Sequence, residues 1–235
     1  MDFDAHRLSF GSVAEHYDRV RPTYPRAALE WVLGTQPRRV LDLGAGTGLL
    51  SRAVMTLGHE VVAVEPDPGM RARFDAVTPG VTALAGSAEE IPLPDASVDV
   101  VVVGQAYHWF NPDRSHPEIA RVLKPGGVFA PMWNTRDLDR EWTIKLDDIL
   151  RNPVESGAAE DFGPLFTPIE TALFKHSVPQ TPDGLCELVK SRSYFIVSPP
   201  ERQEEILQKV RDLTAELGET FDMPYTTEVM RALKR

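Results

Sequence analysis

Val40-Leu41-Asp42-Leu43-Gly44-Ala45-Gly46-Thr47-Gly48 is the stretch that decides the fold. Residues 39–43 read as a short buried strand, with Pro37 marking where it begins. It delivers Asp42 and Leu43 to its carboxyl end. Gly44, Gly46 and Gly48 then follow at alternate positions. Glycine permits positive φ and lets a ligand press against the backbone. Residues 49–57 read as a helix closed by Gly58 and His59,. A turn that opens a helix presents free N–H groups, so this strand–turn–helix reads as a ligand crevice at the carboxyl edge of a sheet. The dinucleotide pattern requires Gly-x-Gly-x-x-Gly or a final Ala. Here the third glycine comes one residue early and Leu49 stands where the Gly or Ala is wanted.

Outward from that turn the chain alternates strands and helices. Residues 60–65 (Glu-Val-Val-Ala-Val-Glu) form a second strand, almost continuously apolar, as a parallel strand covered on both faces should be,. Residues 70–77 read as a helix, 81–85 as a third strand, 97–104 as a fourth, 117–122 as a helix and 128–133 as a fifth strand. Lys124-Pro125-Gly126-Gly127 reads as a turn. This alternation implies an α/β fold with a mostly parallel sheet and helices on both faces. Beyond Asn134 the pattern is less regular. Helices are read at 139–150, 183–193 and 200–217, and a loop at 151–168. Strands are read at 171–178 and 225–233, the last two pairing antiparallel.

The chain has 235 residues, enough for one sizeable α/β domain,. Its formal net charge of -10, with no long run of Lys and Arg, argues against a nucleic-acid partner,. Cys186 is the only cysteine, so no internal disulfide forms, and a reducing, cytoplasmic setting is expected,. Residues 1–10 carry charges and no apolar run, so no signal peptide is read there,. The longest apolar run, 98–103, is broken by Asp99 and too short for a bilayer, so no membrane association is expected,.

Five ordered segments carry a family resemblance. The opening stretch resembles the first motif of class I S-adenosylmethionine-dependent methyltransferases. Val61-Val62-Ala63-Val64-Glu65-Pro66-Asp67-Pro68-Gly69-Met70 is similar to their second motif. Gly86-Ser87-Ala88-Glu89-Glu90-Ile91-Pro92-Leu93 resembles the loop after their third strand. Asp95-Ala96-Ser97-Val98-Asp99 and Arg121-Val122-Leu123-Lys124-Pro125-Gly126-Gly127 resemble the approaches to the fourth and fifth strands. The likeness points to the small-molecule branch of methyltransferase type 11 and trans-aconitate methyltransferase-like enzymes. It implies a Rossmann-like, seven-stranded sheet in the order 3-2-1-4-5-7-6, with one antiparallel strand near the C-terminus. It also implies a single domain over 1–235. Within it, residues 1–36 would cap the cofactor, 37–134 form the cofactor-binding core, and 135–235 supply substrate-side helices and the last two strands.

The implied cofactor is S-adenosyl-L-methionine, leaving as S-adenosyl-L-homocysteine, with no metal. Asp42, Leu43, Gly44, Ala45, Gly46 and Gly48 would lie along it. Glu65, an acid ending the second strand, would accept hydrogen bonds from the ribose hydroxyls,. Pro66 and Met70 would pack near the adenine, and Ser87, Ala88 and Glu89 would close over its edge. Gln105 and Ala106 would lie under the methionine end. Tyr17 and Arg21, in a segment similar to one that folds over the cofactor in this branch, would take the methionine carboxylate, the Arg by paired hydrogen bonds,.

On the acceptor side, Tyr107, His108, Trp109 and Phe110 follow the fourth strand; His108 is the candidate base and the aromatics candidate walls,. Trp133, Arg136, Arg192 and Tyr194 are further pocket candidates, and either arginine would suit an acidic substrate group. The expected reaction is O-methylation of a small-molecule carboxylate or hydroxyl. Protein or RNA methylation, a catalytically silent cofactor-binding module and an NAD-dependent oxidoreductase stand as alternatives. The Asn/Asp-Pro-Pro-Tyr signature of adenine N-methylation does not follow the fourth strand. Cys186 sits beside Leu185, Leu188 and Val189 on an apolar helix face, where packing is the simpler role,. No Cys/His spacing marks a zinc site,.

Overall fold

In the computed structural model, which describes residues 18, 20–150 and 159–235, β1 (Arg39–Leu43) lies inside the sheet, with Val40 to Leu43 buried. β1 pairs in parallel with β2 (Glu60–Val64) on one side and β4 (Val98–Gly104) on the other. β3 (Ala83–Leu84) extends the sheet beyond β2, and β5 (Leu123–Arg136) beyond β4. β6 (Glu170–Gln180) and β7 (Phe221–Leu233) complete the order β3-β2-β1-β4-β5-β7-β6, with β7 antiparallel to both neighbours. The expected seven-stranded order with one reversed strand is therefore the observed one.

Element boundaries differ from the expected ones for local reasons. β3 pairs over two residues only, because the Val81 N–H turns back to the Thr78 carbonyl and the Ala83 N–H goes to Asp75 Oδ1. α3 (Pro68–Val77) starts early because the Asp67 carboxylate caps the Met70 N–H at 2.8 Å and Pro68 fits the first turn,. α4 (Pro112–Val122) starts before residue 117 for the same reason, with Asn111 as its cap. The turn read at 124–127 is a bulge within β5, where the register jumps from Val98↔Leu123 to Val100↔Val128,.

α1 (Arg26–Leu33) buries Ala28, Leu29, Val32 and Leu33 against Val100, Val102, Ala130, Met132 and Val229. It therefore covers a sheet face. α2 (Leu49–Met55) lies on this face too, through Leu50 and Val54. α4 covers the opposite face, packing Ile119, Ala120 and Val122 with Leu41, Val101, Val103 and Phe129. α5 (Glu141–Leu150), α6 (Pro182–Lys190), α7 (Ser193–Ile196) and α8 (Pro200–Thr214) contribute to a separate cluster containing Leu146, Leu188, Val210 and the β7 residues Met223 and Tyr225. Cys186 is buried in that cluster, in agreement with a packing role. Among the described residues, no helix is long and apolar enough to cross a membrane.

Candidate functional site

The three glycines of the first turn do three different things. A Cβ on Gly44 would lie 2.9 Å from Ala106 Cβ, so this glycine lets the turns after β1 and β4 touch. A Cβ on Gly48 (φ +87°) would lie 2.8 Å from the Phe74 ring and 2.7 Å from Thr78 Oγ1, so Gly48 packs α2 against α3. That close packing, rather than a ligand, fills the space beside Gly48. A Cβ on Gly46 would meet nothing within 4 Å. Gly46 is thus the open cradle of the turn.

Free amides were expected here, but four of them are taken within the protein. The N–H groups of Gly44 and Ala45 both donate to the Val64 carbonyl, at 2.8 and 3.1 Å. Gly46 donates to Glu65 Oε2 at 2.9 Å, and Gly48 to the Ala45 carbonyl at 2.9 Å. A pyrophosphate cradle needs such amides pointing at the ligand. This turn instead suits a nucleoside without phosphate, received by shape and by the carboxylates beside it.

Two of those carboxylates are buried. Glu65 ends β2 at 7% exposure; its Oε1 accepts from the Asp67 N–H at 2.8 Å while Oε2 holds Gly46. Burial raises its pKa, against the two backbone bonds that favour the charged form,. Each oxygen keeps a further lone pair, so the group can still accept from a diol. Asp42 is 1% exposed, and Oδ2 accepts from Ser51 Oγ at 2.7 Å. Its Oδ1 is buried without a partner among the described residues. Desolvation lifts the Asp42 carboxyl to about 7, and the Glu65 charge adds to that rise,. An orphaned buried acceptor beside an open glycine cradle fits the S-adenosylmethionine that the resemblance implies.

The neighbouring loops form the walls. Ser87 and Glu90 close a tight turn after β3, and Ser87 Oγ accepts from the Glu89 N–H at 3.2 Å. Glu89 Oε1 accepts from the Asn111 N–H at 3.0 Å, which ties this loop to the one after β4. Ala88 packs into the core with Leu41, Leu43 and Val64. Pro66 is half-buried, with its carbonyl accepting from Arg71 at 2.6 Å; Met70 is buried in the first turn of α3. Gln105 takes a left-handed φ of 59°, a strained setting held by its Nε2 bond to the Asn134 carbonyl at 3.0 Å,.

Past Gln105, the aromatic run divides. Tyr107 turns into the core, bonding His116 Nε2 at 2.9 Å and packing among Phe110, Phe129, Trp133 and Phe162. Burial pushes its hydroxyl up to about 12. The expected pocket wall is therefore a core residue, because a neutral phenol paired with an imidazole is at home in an aromatic cluster. His108 stands at the exposed tip, with its ring 4.7 Å from Trp109. Desolvation by the protein around the ring still lowers its pKa, which favours the neutral imidazole. Phe110 lines the floor against Gly44. Trp133 is 4% exposed, and its Nε1 is buried with no partner among the described residues.

Residues 18 and 20–24 reach this end of the sheet. Tyr17 lies outside the described residues. Asp18, which no motif singles out, pairs with Arg52 of α2 at 2.5 Å and with Arg73 of α3 at 3.4 Å. Asn134, between Trp133 and Arg136 on β5, donates to the Thr23 carbonyl at 3.1 Å and accepts from Thr227 Oγ1 at 2.6 Å. Arg21 donates to both Ser191 Oγ and the Ser191 carbonyl at 3.1 Å, which places it beside Arg192. Arg136 pairs with Asp147. Arg192 and Tyr194 both feel the charges of Arg21 and Arg136. A cavity of about 370 Å³ lies against Arg21, walled by Gln180, Asp183 and Glu187 and touching none of the glycine turn.

Comparison with known proteins agrees with this layout. The Methyltransf_11 family of methyltransferase domains matches residues 41–130. An uncharacterized methyltransferase of Mycobacterium tuberculosis is 44% identical over 234 residues, spanning 96% of this chain and 95% of its own. A malonyl-[acyl-carrier protein] O-methyltransferase of Methylococcus capsulatus is 37% identical over 134 residues, 52% of this chain and 49% of its own. Among solved structures, a chain of Anaeromyxobacter dehalogenans, provisionally assigned as a type II methyltransferase, superposes with a TM-score of 0.71. It is 26% identical, over 90% of this chain and 97% of that one. With the sheet order, the glycine turn and these relatives together, the chain belongs to the class I S-adenosylmethionine-dependent methyltransferases.

Proposed function

We propose that the protein transfers a methyl group to an oxygen of a small, acidic molecule, a carboxylate or a hydroxyl. The observation that carries this reading is the presence of two groups of opposite charge at the carboxyl edge of the sheet. Buried carboxylates Asp42 and Glu65 stand at the glycine turn, and Arg136 ends β5 at the same edge of the sheet, within electrostatic reach of Arg192 together with Arg21. A cationic donor suits the first group and an anionic acceptor the second. The relative from Methylococcus capsulatus, named for O-methyl transfer to a malonyl group, supports the same chemistry. The net charge of -10 supports a small acceptor over a nucleic acid,.

S-adenosylmethionine supplies an activated methyl on a sulfonium. The residues that would hold it are Glu65 at the ribose, Asp42 and Gly44 to Gly46 along the amino-acid end, and Pro66, Met70 and the Ser87–Glu89 loop around the base. What remains for the chain is to align the acceptor and exclude water. Phe110 and Ala106 form an apolar floor against Gly44. A carboxylate acceptor is already ionised at pH 7 and needs no base. A hydroxyl acceptor would lose its proton to the neutral His108. Transfer of labelled methyl from the donor to a panel of small acids and alcohols tests the reading. His108→Ala should leave methylation of a carboxylate within a few-fold and slow that of a hydroxyl about 100-fold or more. Cofactor binding with no turnover of any acid or alcohol would sink the proposal.

A further inference from the structure

Three guanidinium groups far apart in the chain come near one another at the carboxyl edge of the sheet. Arg21 precedes α1, Arg136 closes β5 and Arg192 follows α6. Arg21 is fixed through two 3.1 Å bonds to Ser191, the residue before Arg192. Arg136 stands in register with Tyr225 across the β5–β7 pairing. The charges bearing on Arg192 are those of Arg21 and Arg136, joined by the hydroxyls of Tyr194 and Tyr225. Burial and these two cations depress its pKa to about 9. Asp147 is the carboxylate paired with Arg136, and among the described residues no carboxylate lies within ion-pair distance of Arg192.

Gathering like charges in a partly buried place is costly, and a chain that keeps them together leaves positive charge for something to neutralise. Arg192 leaves about one positive charge uncompensated, and Arg136 adds a second once an acceptor takes the place of Asp147. Two further donors point the same way. Arg136 Nε and the Tyr194 hydroxyl are buried with no hydrogen-bond partner among the described residues, and such groups call for an acceptor,. The cluster is also on the right side of the sheet. Gln105, which follows β4, holds the Asn134 carbonyl, and Asn134 in turn holds the backbone of Pro22 and Thr23, next to Arg21.

We propose that Arg136 and Arg192, flanked by Arg21 and the Tyr194 hydroxyl, form a subsite that holds a doubly negative end of the methyl acceptor. That end is a pair of carboxylates or one phosphate monoester, both matched by guanidinium forks. The proposal rests on the reading of the protein as a small-molecule methyltransferase, and deepens it by requiring a second, unmethylated anionic group on the acceptor. Asp147 then acts as the resident competitor that the acceptor displaces from Arg136.

The test is calorimetric titration of the protein saturated with S-adenosylhomocysteine, at constant ionic strength, using succinate, glycerol 2-phosphate and acetate. Succinate or glycerol 2-phosphate should bind at least tenfold more tightly than acetate, and whichever is tighter identifies the source of the double charge. Arg192→Gln and Arg136→Gln should each weaken that anion at least tenfold, while Asp147→Asn should strengthen it several-fold. Without anion, Arg192→Gln should melt at or above the wild-type temperature, since it removes an uncompensated charge, and it should lose the rise that the anion gives the wild type. Equal binding of all three anions, unchanged affinity in Arg192→Gln, a large drop in its melting temperature, or weaker binding in Asp147→Asn would each overturn the subsite. Failure of S-adenosylhomocysteine to bind would instead overturn the methyltransferase reading on which it rests.

Discussion

Asp42 carries the clearest consequence at the scale of single residues. Unfolded, its carboxyl titrates near 3.8; folded, burial holds it up to about 7. The native state therefore binds this proton more tightly than the unfolded one. Stability from this group is intact below about pH 4, falls as the pH rises towards 7, and is flat above that. The loss across that window is roughly 4 kcal/mol. Asp42→Asn should flatten the decline, seen as a wild-type to variant difference in chemical denaturation that grows from pH 5 to pH 8. In the proposed arrangement the ligand's amine drives the proton off Asp42. Binding of S-adenosylhomocysteine at pH 6 should then release a proton in the wild type and not in Asp42→Asn. Calorimetry in two buffers of different ionisation heat reads this directly. Glu65→Ala should weaken the same ligand by about 1–3 kcal/mol, because a buried diol would lose its acceptor. Unchanged affinity would remove Glu65 from the ribose.

Among elements, the glycine turn shows how alike residues separate by context. Gly48→Ala places a methyl against Phe74 and Thr78 in left-handed backbone, and should destabilise the fold by about 2–4 kcal/mol,. Gly46→Ala meets nothing, and should cost about 1 kcal/mol of backbone strain while reducing cofactor affinity, because its methyl enters the cradle,. Denaturation and ligand titration of the two variants should give opposite rankings. The spacing Gly44, Gly46, Gly48 announced a crevice but could not say which glycine faced it. β1, β2 and β4 were legible because burial on both faces leaves continuous apolar runs such as Val100 to Val103,. α1 was not. Its cap position is Pro25, which offers no side-chain bond, so its beginning carries no polar signal,. The amides of the turn were misread for a related reason: that Val64 and Glu65 would consume them depends on how β2 docks, which no local pattern encodes.

At the scale of the molecule, long-range ties hold the layers in place, and these were invisible to any periodicity. Arg231 of β7 lies 3.9 Å over the Trp31 ring, donates to the Trp31 carbonyl at 2.6 Å and pairs with Glu170 of β6 at 2.7 Å. It anchors α1 to the edge of the sheet across 200 residues of chain. Arg231→Ala should cost about 1–3 kcal/mol of stability and leave S-adenosylhomocysteine affinity unchanged, checked by denaturation and calorimetry. The arginine cluster has the same character. Arg21, Arg136 and Arg192 share no motif, and their meeting follows from the way Asn134, Thr23 and Ser191 bring three segments together.

β7 comes last in chain order yet fills the gap between β5 and β6. During synthesis, therefore, β5 waits with its outer row of backbone groups unpaired, and β6 has no partner at all, until residues 221–233 emerge,. A nascent chain halted after α8 would carry the glycine turn, both buried carboxylates and all three arginines, and still present two naked ribbons to its neighbours on the polysome,. The zipper that closes the sheet is thus also the event that ends the period in which the newborn molecule is most inclined to aggregate.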